Sequence, residues 1–225
     1  MGALQVVKLT ALMERYSGAP EVIIGLIDGP VAIGHTDLAT QNIFEIPGKS
    51  GSICSTVSSS ACVHGTFVAG VLAAKRGSAA PAICPGCTLL LRSIFSETTR
   101  VDGRMPSATC EELRAAIMDT LKAGARLINL SAALEQSSSR GEQQLQQALD
   151  HAARRGTIIV AAAGNQGAVA SSTITRHPWV IPVVACDLQG HPTAESNLGT
   201  SIGWRGLRAP GESIISLVRM APHSA

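Results

Sequence analysis

Three polar residues stand where apolar runs of the sequence begin or end, and their types could support acid–base chemistry on a substrate. Asp28 ends the run EVIIGLID, His64 opens HGTFVAGVLAA, and Asn165 follows TIIVAAAG. A histidine can act as a general base, a carboxylate can orient it, and an amide N–H can stabilise an oxyanion. Taken singly, each also has an ordinary structural interpretation, as a turn former, a helix-entry residue and a residue of a glycine-flanked turn.

The histidine is predicted to lie at the start of a helix over 64–74, because Phe67, Val68, Val71 and Leu72 recur at helical spacing. At that position the positive end of the helix dipole would lower the pKa of the imidazole. A lower pKa favours the neutral form that a general base needs.

The elements that must position these residues alternate along the chain. Apolar runs without polar alternation predict five buried strands, over 21–28, 88–94, 126–132, 157–164 and 179–185. Amphipathic helices are predicted over 109–124, where Thr109 and Glu112 form a capping box, and over 140–156. The residues predicted to face the sheet are Leu113, Ala116, Ile117, Thr120, Leu121, Leu145, Ala148, Leu149 and Ala152. Such strands and helices predict an α/β fold with a parallel sheet covered on both faces.

Composition narrows the classes of function. The chain has 225 residues, 45% of them hydrophobic, which suits one domain over 1–225 with its own core. The net charge of +2 is spread without a basic stripe, so no nucleic acid is expected as a partner. No apolar run is long enough to cross a bilayer and no signal peptide is evident, so no membrane association and a cytoplasmic location are expected.

The six cysteines are expected to be mostly free, buried thiols, because disulfides are rare in cytosolic proteins. A bridge between Cys54 and Cys62 is the alternative, since it would pin the serine-rich loop between them. Cys84 and Cys87 form a close pair without a second pair of ligands, so no metal site is predicted. The strand-like run after that pair is also the wrong context for a redox motif. A cysteine hydrolase using Cys62 or Cys186 with His64 is a further, weaker alternative.

Five segments carry a resemblance to a known family. IIGLIDGPVAIGHTDL, VHGTFVAG, LINLSAA, VAAAGNQG and RAPGESI resemble, in order and in approximate spacing, the signatures of subtilisin-like serine proteases, from Val22 to Ser216. The segments DGPV and ICPGCTLLLRSIF are most similar to the branch that matures cyanobactin-type peptides. The resemblance implies a three-layer α/β/α fold with a mainly parallel twisted sheet, and a peptide or protein substrate.

The resemblance also assigns catalytic roles. Asp28 would accept the Nδ1–H of His64, and His64 would take the proton of a serine and return it to the leaving amine. Asn165 would donate its side-chain N–H into the oxyanion hole, where losing one donor costs about 10²–10³ in turnover. Phe67 stands where the family usually has a second histidine, and an altered packing contact is expected there.

Two sets of residues would contact the substrate. The segment expected to pair with the substrate backbone, as an edge strand, comprises Ser131, Ala132 and Ala133. The residues expected to line the pocket for the side chain before the scissile bond are Ala162, Ala163 and Gly164. Because these wall residues are small, the pocket would have room for a hydrophobic or medium-sized side chain of the substrate.

The nucleophile is the main departure from the family pattern. The family carries its serine in a Gly-Thr-Ser-x-Ala-x-Pro segment that follows an Ala-Pro-Gly turn and opens a long buried helix. Here 14 residues follow the turn at 209–211, and none of Ser201, Ser213, Ser216 and Ser224 fits the pattern. The chain is therefore expected to lack the serine-helix segment and to expose apolar surface that a completing chain or a homo-oligomer would cover.

Two consequences for function follow. The first expectation is a serine endopeptidase domain whose serine is missing from this chain, and the alternative is an inactive subtilase that binds peptides or depends on a partner. No cofactor is expected. Many relatives bind calcium in loops, but no Asp-rich ligand pattern stands out here.

Overall fold

The parallel sheet predicted from the apolar runs is present. The computed structural model describes residues 2–97, 108–131 and 139–218. Their strands are β1 Ile23–Asp28, β2 Ile43–Glu45, β3 Thr88–Ser93, β4 Leu127–Leu130, β5 Ile158–Ala162, β6 Val180–Cys186 and β7 Leu207–Pro210. They form one seven-stranded sheet in the order β2-β3-β1-β4-β5-β6-β7, with every neighbouring pair parallel.

Helices cover both faces of this sheet. They are α1 Ala3–Val6, α2 Thr10–Arg15, α3 Ser60–Ala73, α4 Cys110–Lys122, α5 Ser139–Arg154, α6 Thr173–Arg176 and α7 Thr200–Arg205. Residues of α4 and α5 share one core with Ile27, whereas residues of α3 share the other with Ile24 and Leu26. Because successive strand residues point to opposite faces, the expected three-layer α/β/α architecture is confirmed. None of the helices in the described ranges is both long and apolar enough to span a bilayer.

The two predicted amphipathic helices are confirmed to within two residues at each end. Thr109 Oγ1 accepts a hydrogen bond from the Glu112 N–H, and the Glu112 carboxylate accepts one from the Thr109 N–H, both at 3.2 Å. Gly124 follows α4 with a φ of +91°, which is the left-handed conformation that ends many helices. All nine residues predicted to face the sheet are buried. Here the sequence periodicity and the packing agree.

Other boundaries differ from the prediction. Helix α3 begins at Ser60, four residues before the predicted start, because the side chain of Ser59 caps it by accepting a hydrogen bond from the Cys62 N–H. Strands β2 and β7 were not predicted, since runs of three and four residues carry no readable period. The segment around Ser213 and Ser216 has a strand-like apolar sequence, ESIISLV, but is irregular in the structure.

Candidate active site

The structure brings Asp28 and His64 together although 36 residues separate them in sequence. Asp28 is the last residue of β1 and is fully buried, and His64 is the fifth residue of α3. Asp28 Oδ1 lies 2.7 Å from His64 Nδ1 and 2.6 Å from the Gly29 backbone nitrogen. Since a carboxylate only accepts, Nδ1 donates. The neutral imidazole therefore presents Nε2 as its proton acceptor.

Close approach of two backbones makes this contact possible. A Cβ atom on Gly29 would lie 2.1 Å from the carbonyl oxygen of Ala61, and one on Gly65 would lie 2.4 Å from the carbonyl oxygens of Gly29 and Pro30. Any larger residue at either position would separate α3 from the end of β1. Both glycines lie beside the Asp28–His64 pair, so they set its spacing.

The pKa of His64 differs from the prediction. Burial is the largest single influence and lowers the pKa, but the charge of Asp28 and its hydrogen bond together raise it above the ordinary value of 6.5. The expected lowering by the helix dipole was wrong for two reasons. The helix begins earlier than predicted, so His64 lies beyond the first turn, and the nearby carboxylate stabilises the imidazolium.

Asn165 lies in the loop after β5, and a second asparagine holds that loop. The buried side chain of Asn197 accepts hydrogen bonds from the backbone N–H groups of Gln166 and Ala168, both at 3.1 Å. Its Nδ2 donates to Gln166 Oε1 at 2.5 Å, and its backbone N–H donates to the Gly164 carbonyl at 2.9 Å. Sequence reasoning missed Asn197, because nothing in its neighbourhood marks it. These bonds fix the backbone on both sides of Asn165, whose own side chain is exposed.

A cavity of about 1200 Å³ adjoins this loop. Its wall includes Phe67, Val68 and Val71 of α3, Leu4 of α1, and Ile83, Asn165 and Pro210. Phe67 is one turn along α3 from His64, so the cavity runs beside the helix that carries the candidate base. An altered packing contact was expected at Phe67, and in the structure this side chain forms part of the cavity wall.

The predicted substrate-binding segment is described only at its first residue. Ser131 directly follows β4, a central strand, and its backbone N–H donates to the Ile27 carbonyl at 3.1 Å. Ala132 and Ala133 lie outside the described residues. Pairing of this segment with a substrate therefore stays a prediction.

The residues predicted to form the side-chain pocket lie at the end of β5. Ala162 is exposed, whereas Ala163 is buried and donates its N–H to the Val183 carbonyl at 2.9 Å. Gly164 has a φ of +109°, and a Cβ atom there would lie 2.3 Å from Asn197 Nδ2. Only a glycine is therefore compatible with the turn that leads into Asn165.

No described serine is hydrogen-bonded to His64, whose side chain bonds to Asp28 alone within the described ranges. Ser201 lies in α7, and its hydroxyl pairs with that of Ser171 at 3.0 Å. Ser216 is buried, and its hydroxyl donates to the Phe67 carbonyl at 2.7 Å. These contacts give both hydroxyls structural partners.

The cysteines correct one prediction. Cys54 and Cys62 form a disulfide with their Cα atoms 5.7 Å apart, so the expectation of free thiols was wrong for this pair. The early start of α3 places Cys62 in its first turn, against the loop that carries Cys54. Because Cys62 is bridged, it is no nucleophile for His64.

The remaining described cysteines, Cys84, Cys87, Cys110 and Cys186, are free thiols. Burial and the neighbouring Cys87 raise the pKa of Cys84 to about 12. A thiol with so high a pKa is almost entirely protonated at neutral pH.

In this chain a buried carboxylate orients a histidine at the carboxyl edge of a parallel sheet, within a three-layer α/β/α fold. This is the arrangement of a subtilisin-like hydrolase domain. The model of the peptidase S8 subtilase family matches residues 19–223, and the chain belongs to that family. It is therefore a domain of the subtilisin-like type.

Individual relatives support the same assignment. The chain is 31% identical to the thermophilic serine proteinase of Bacillus sp. (strain AK1) over 69% of its length and 36% of the relative. It is 29% identical to subtilisin DY of Bacillus licheniformis, over 90% of the chain and 69% of the relative. The chain thus spans about a third of the first relative and about two thirds of the second.

Solved structures of maturation proteases superpose well on this chain. The protease domain of PatA, a patellamide maturation protease, superposes with a TM-score of 0.79 at 28% identity, over 91% of this chain and 72% of that one. The prenylagaramide maturation protease PagA gives 0.76 at 25% identity, over 96% and 69%. The expected likeness to this branch is confirmed.

Proposed function

We propose that this chain supplies the base and the oxyanion donor of an endopeptidase that hydrolyses peptide bonds by an Asp-His-Ser mechanism. The observation that carries the proposal is the 2.7 Å contact between His64 Nδ1 and the fully buried carboxylate of Asp28. His64 Nε2 takes the proton of the serine hydroxyl as that hydroxyl attacks the peptide carbonyl. Asp28 stabilises the resulting imidazolium, which then protonates the leaving amine.

Asn165 acts on the other side of the reacting carbonyl. Its exposed side chain is free to donate an N–H to the oxyanion of the tetrahedral intermediate, and the loop held by Asn197 supports it. A donor fixed in advance needs no reorganisation as charge develops, which is why such groups contribute strongly to catalysis. The substrate is a peptide or protein, in keeping with the names of the relatives.

The serine comes from polypeptide outside the described residues, in a longer form of this chain or in a second chain. The cavity beside α3 supports this assignment, because it is walled largely by apolar side chains and runs along the helix that carries His64. A small-residue helix packed there would bring its first turn toward the site. Burial of the exposed apolar wall would contribute to holding it.

The test is to join the serine segment of an active subtilase to the carboxyl end of this chain and to measure hydrolysis of a fluorogenic peptide. We expect turnover by this fusion and none when the added serine is replaced by alanine. Asp28→Asn in the same fusion should lower kcat by about 10⁴, because the histidine loses its oriented tautomer. A folded fusion that binds the peptide but never cleaves it would contradict the proposal.

The second candidate is a protein that binds peptides without cleaving them. The observation in its favour is that His64 has no serine partner in the described ranges. Fluorescence anisotropy with labelled peptides, followed by mass spectrometry of the same samples, separates the two. Binding by the chain alone with all peptides intact supports this candidate, and cleavage by the chain alone excludes it.

A further inference from the structure

Three side chains that can ligate zinc lie close together beside the first turn of α3. Cys54, Cys62 and Glu97 place their two sulfur atoms and a carboxylate oxygen within 4.8 Å of one another. In the structure the two sulfurs form a disulfide, with 5.7 Å between the Cα atoms. No other group of three such ligands occurs within the ranges that the structure describes.

Glu97 is held in place as an anion. Its Oε2 accepts hydrogen bonds from the N–H (2.8 Å) and the hydroxyl of Ser55, and its Oε1 accepts one from the Thr56 N–H at 2.7 Å. The hydroxyl of Ser59 makes a longer hydrogen bond of 3.4 Å to Oε1. No basic side chain pairs with Glu97 among the described residues, so its charge lacks a cationic partner there.

A hydroxyl group lies close to both sulfurs. Cys62 is the third residue of the 14-residue helix α3. The hydroxyl oxygen of Thr66 lies 3.8 Å from Cys62 Sγ and 4.0 Å from Cys54 Sγ. Because that oxygen already accepts from the Ala32 N–H, its own hydrogen is available to a sulfur.

We propose that, once the Cys54–Cys62 disulfide is reduced, Cys54, Cys62 and Glu97 bind a divalent cation of the zinc class. Two thiolates and a carboxylate are ligands that zinc accepts, and water completes a four-coordinate site. Reduction consumes two equivalents of a thiol, which leave as their own disulfide, and gives two protein thiols. Each thiol loses its proton on binding the cation, so two protons are released per ion.

The consequence concerns the candidate base, although the proposal does not depend on the proposed function. Cys62 lies two residues before His64, and the link to Cys54 ties the first turn of α3 to the loop that precedes it. In oxidising surroundings the disulfide makes this link. In reducing surroundings the cation makes it, so the helix start remains fixed in both.

The experiment is a titration with Co²⁺, which reports thiolate ligation by a charge-transfer absorption band. The chain is reduced with dithiothreitol, freed of the reductant under nitrogen, and titrated beside the oxidised chain. We expect the reduced chain to develop the band and saturate at one equivalent, and the oxidised chain to show none. Loss of Glu97 as a ligand in Glu97→Gln should weaken Co²⁺ binding at least about tenfold.

Paired cysteine variants locate the site. Cys54→Ser with Cys62→Ser should abolish the band, whereas Cys84→Ser with Cys87→Ser should leave it unchanged. The second variant is the matched control, because it removes the other close pair of cysteines. The reverse pattern would assign the metal to Cys84 and Cys87 and overturn the proposal.

Circular dichroism covers the case in which reduction unfolds the chain. One equivalent of Zn²⁺ must then restore cooperative unfolding to the reduced wild type but not to the Cys54→Ser, Cys62→Ser variant. A reduced wild-type chain that binds no Co²⁺, folded or not, overturns the proposal. So does a Glu97→Gln variant that binds Co²⁺ as tightly as the wild type.

Discussion

The two faces of the sheet are closed to different degrees. On one face, α4 and α5 pack their apolar sides against the sheet, and Leu113 and Leu149 are fully inaccessible. On the other face, α3 leaves Phe67, Val68 and Val71 partly exposed along a cavity of about 1200 Å³. The first face is covered by its own two helices, whereas the second borders an open cavity.

The candidate site lies on the open face. Asp28 is anchored in the sheet, but His64 sits on α3 and Asn165 borders the cavity. Under the proposed function, the polypeptide that supplies the serine would also cover this face. Stability and activity are expected to depend on the same surface.

The largest expected effect contrasts one residue from each face. Leu149→Ala should lower the free energy of unfolding by about 2–5 kcal/mol, because it opens a void in a closed core. Val71→Ala should cost about 1 kcal/mol or less, since the methyl groups it removes already border the cavity. Urea unfolding of both variants measures the difference. Equal losses would show that the second face is closed in solution.

A smaller effect concerns the bond that fastens the segment after β7 to α3. Ser216→Ala removes the hydrogen bond from its buried hydroxyl to the Phe67 carbonyl, which should cost about 1 kcal/mol. Thr109→Ala, which removes the cap of α4 on the closed face, should cost a similar amount. Limited proteolysis distinguishes them, because only Ser216→Ala should speed cleavage near residue 216. No change in that rate would mean that other contacts hold the segment.

The smallest expected effect is a dependence of stability on pH. The pKa of His64 is raised by Asp28, so the folded state holds this proton more tightly than the unfolded state. The stabilisation is complete below about pH 6.5, the ordinary value, and is lost as the pH rises through the raised pKa. Proton NMR of His64 should show a pKa above 6.5 in the wild type. Asp28→Asn should bring it below 6.5, because burial then acts alone, and an unchanged value would refute this account.

The closed face could be predicted from the sequence almost residue by residue. The capping box of Thr109 and Glu112 and the apolar spacing of the two long helices are local signals, and the structure reproduces them. Strands β2 and β7 were not predicted from the sequence, because a short edge strand is stabilised by pairing with its neighbour and has little sequence pattern of its own. The start of α3 was also not predicted correctly, because the serine-rich run before it resembles a loop.

The sequence by itself determined the alternation of strands and helices, the faces that α4 and α5 bury, and the positions of Asp28 at the end of one strand and Asn165 just after another. Those features depend on residues that are close to one another in the sequence. Only the tertiary structure decided the 2.7 Å contact of Asp28 with His64, the raised pKa of that histidine, the Cys54–Cys62 bridge and the cavity. Each of these depends on which distant segments the sheet brings together and on how much water they exclude, and local periodicity carries neither.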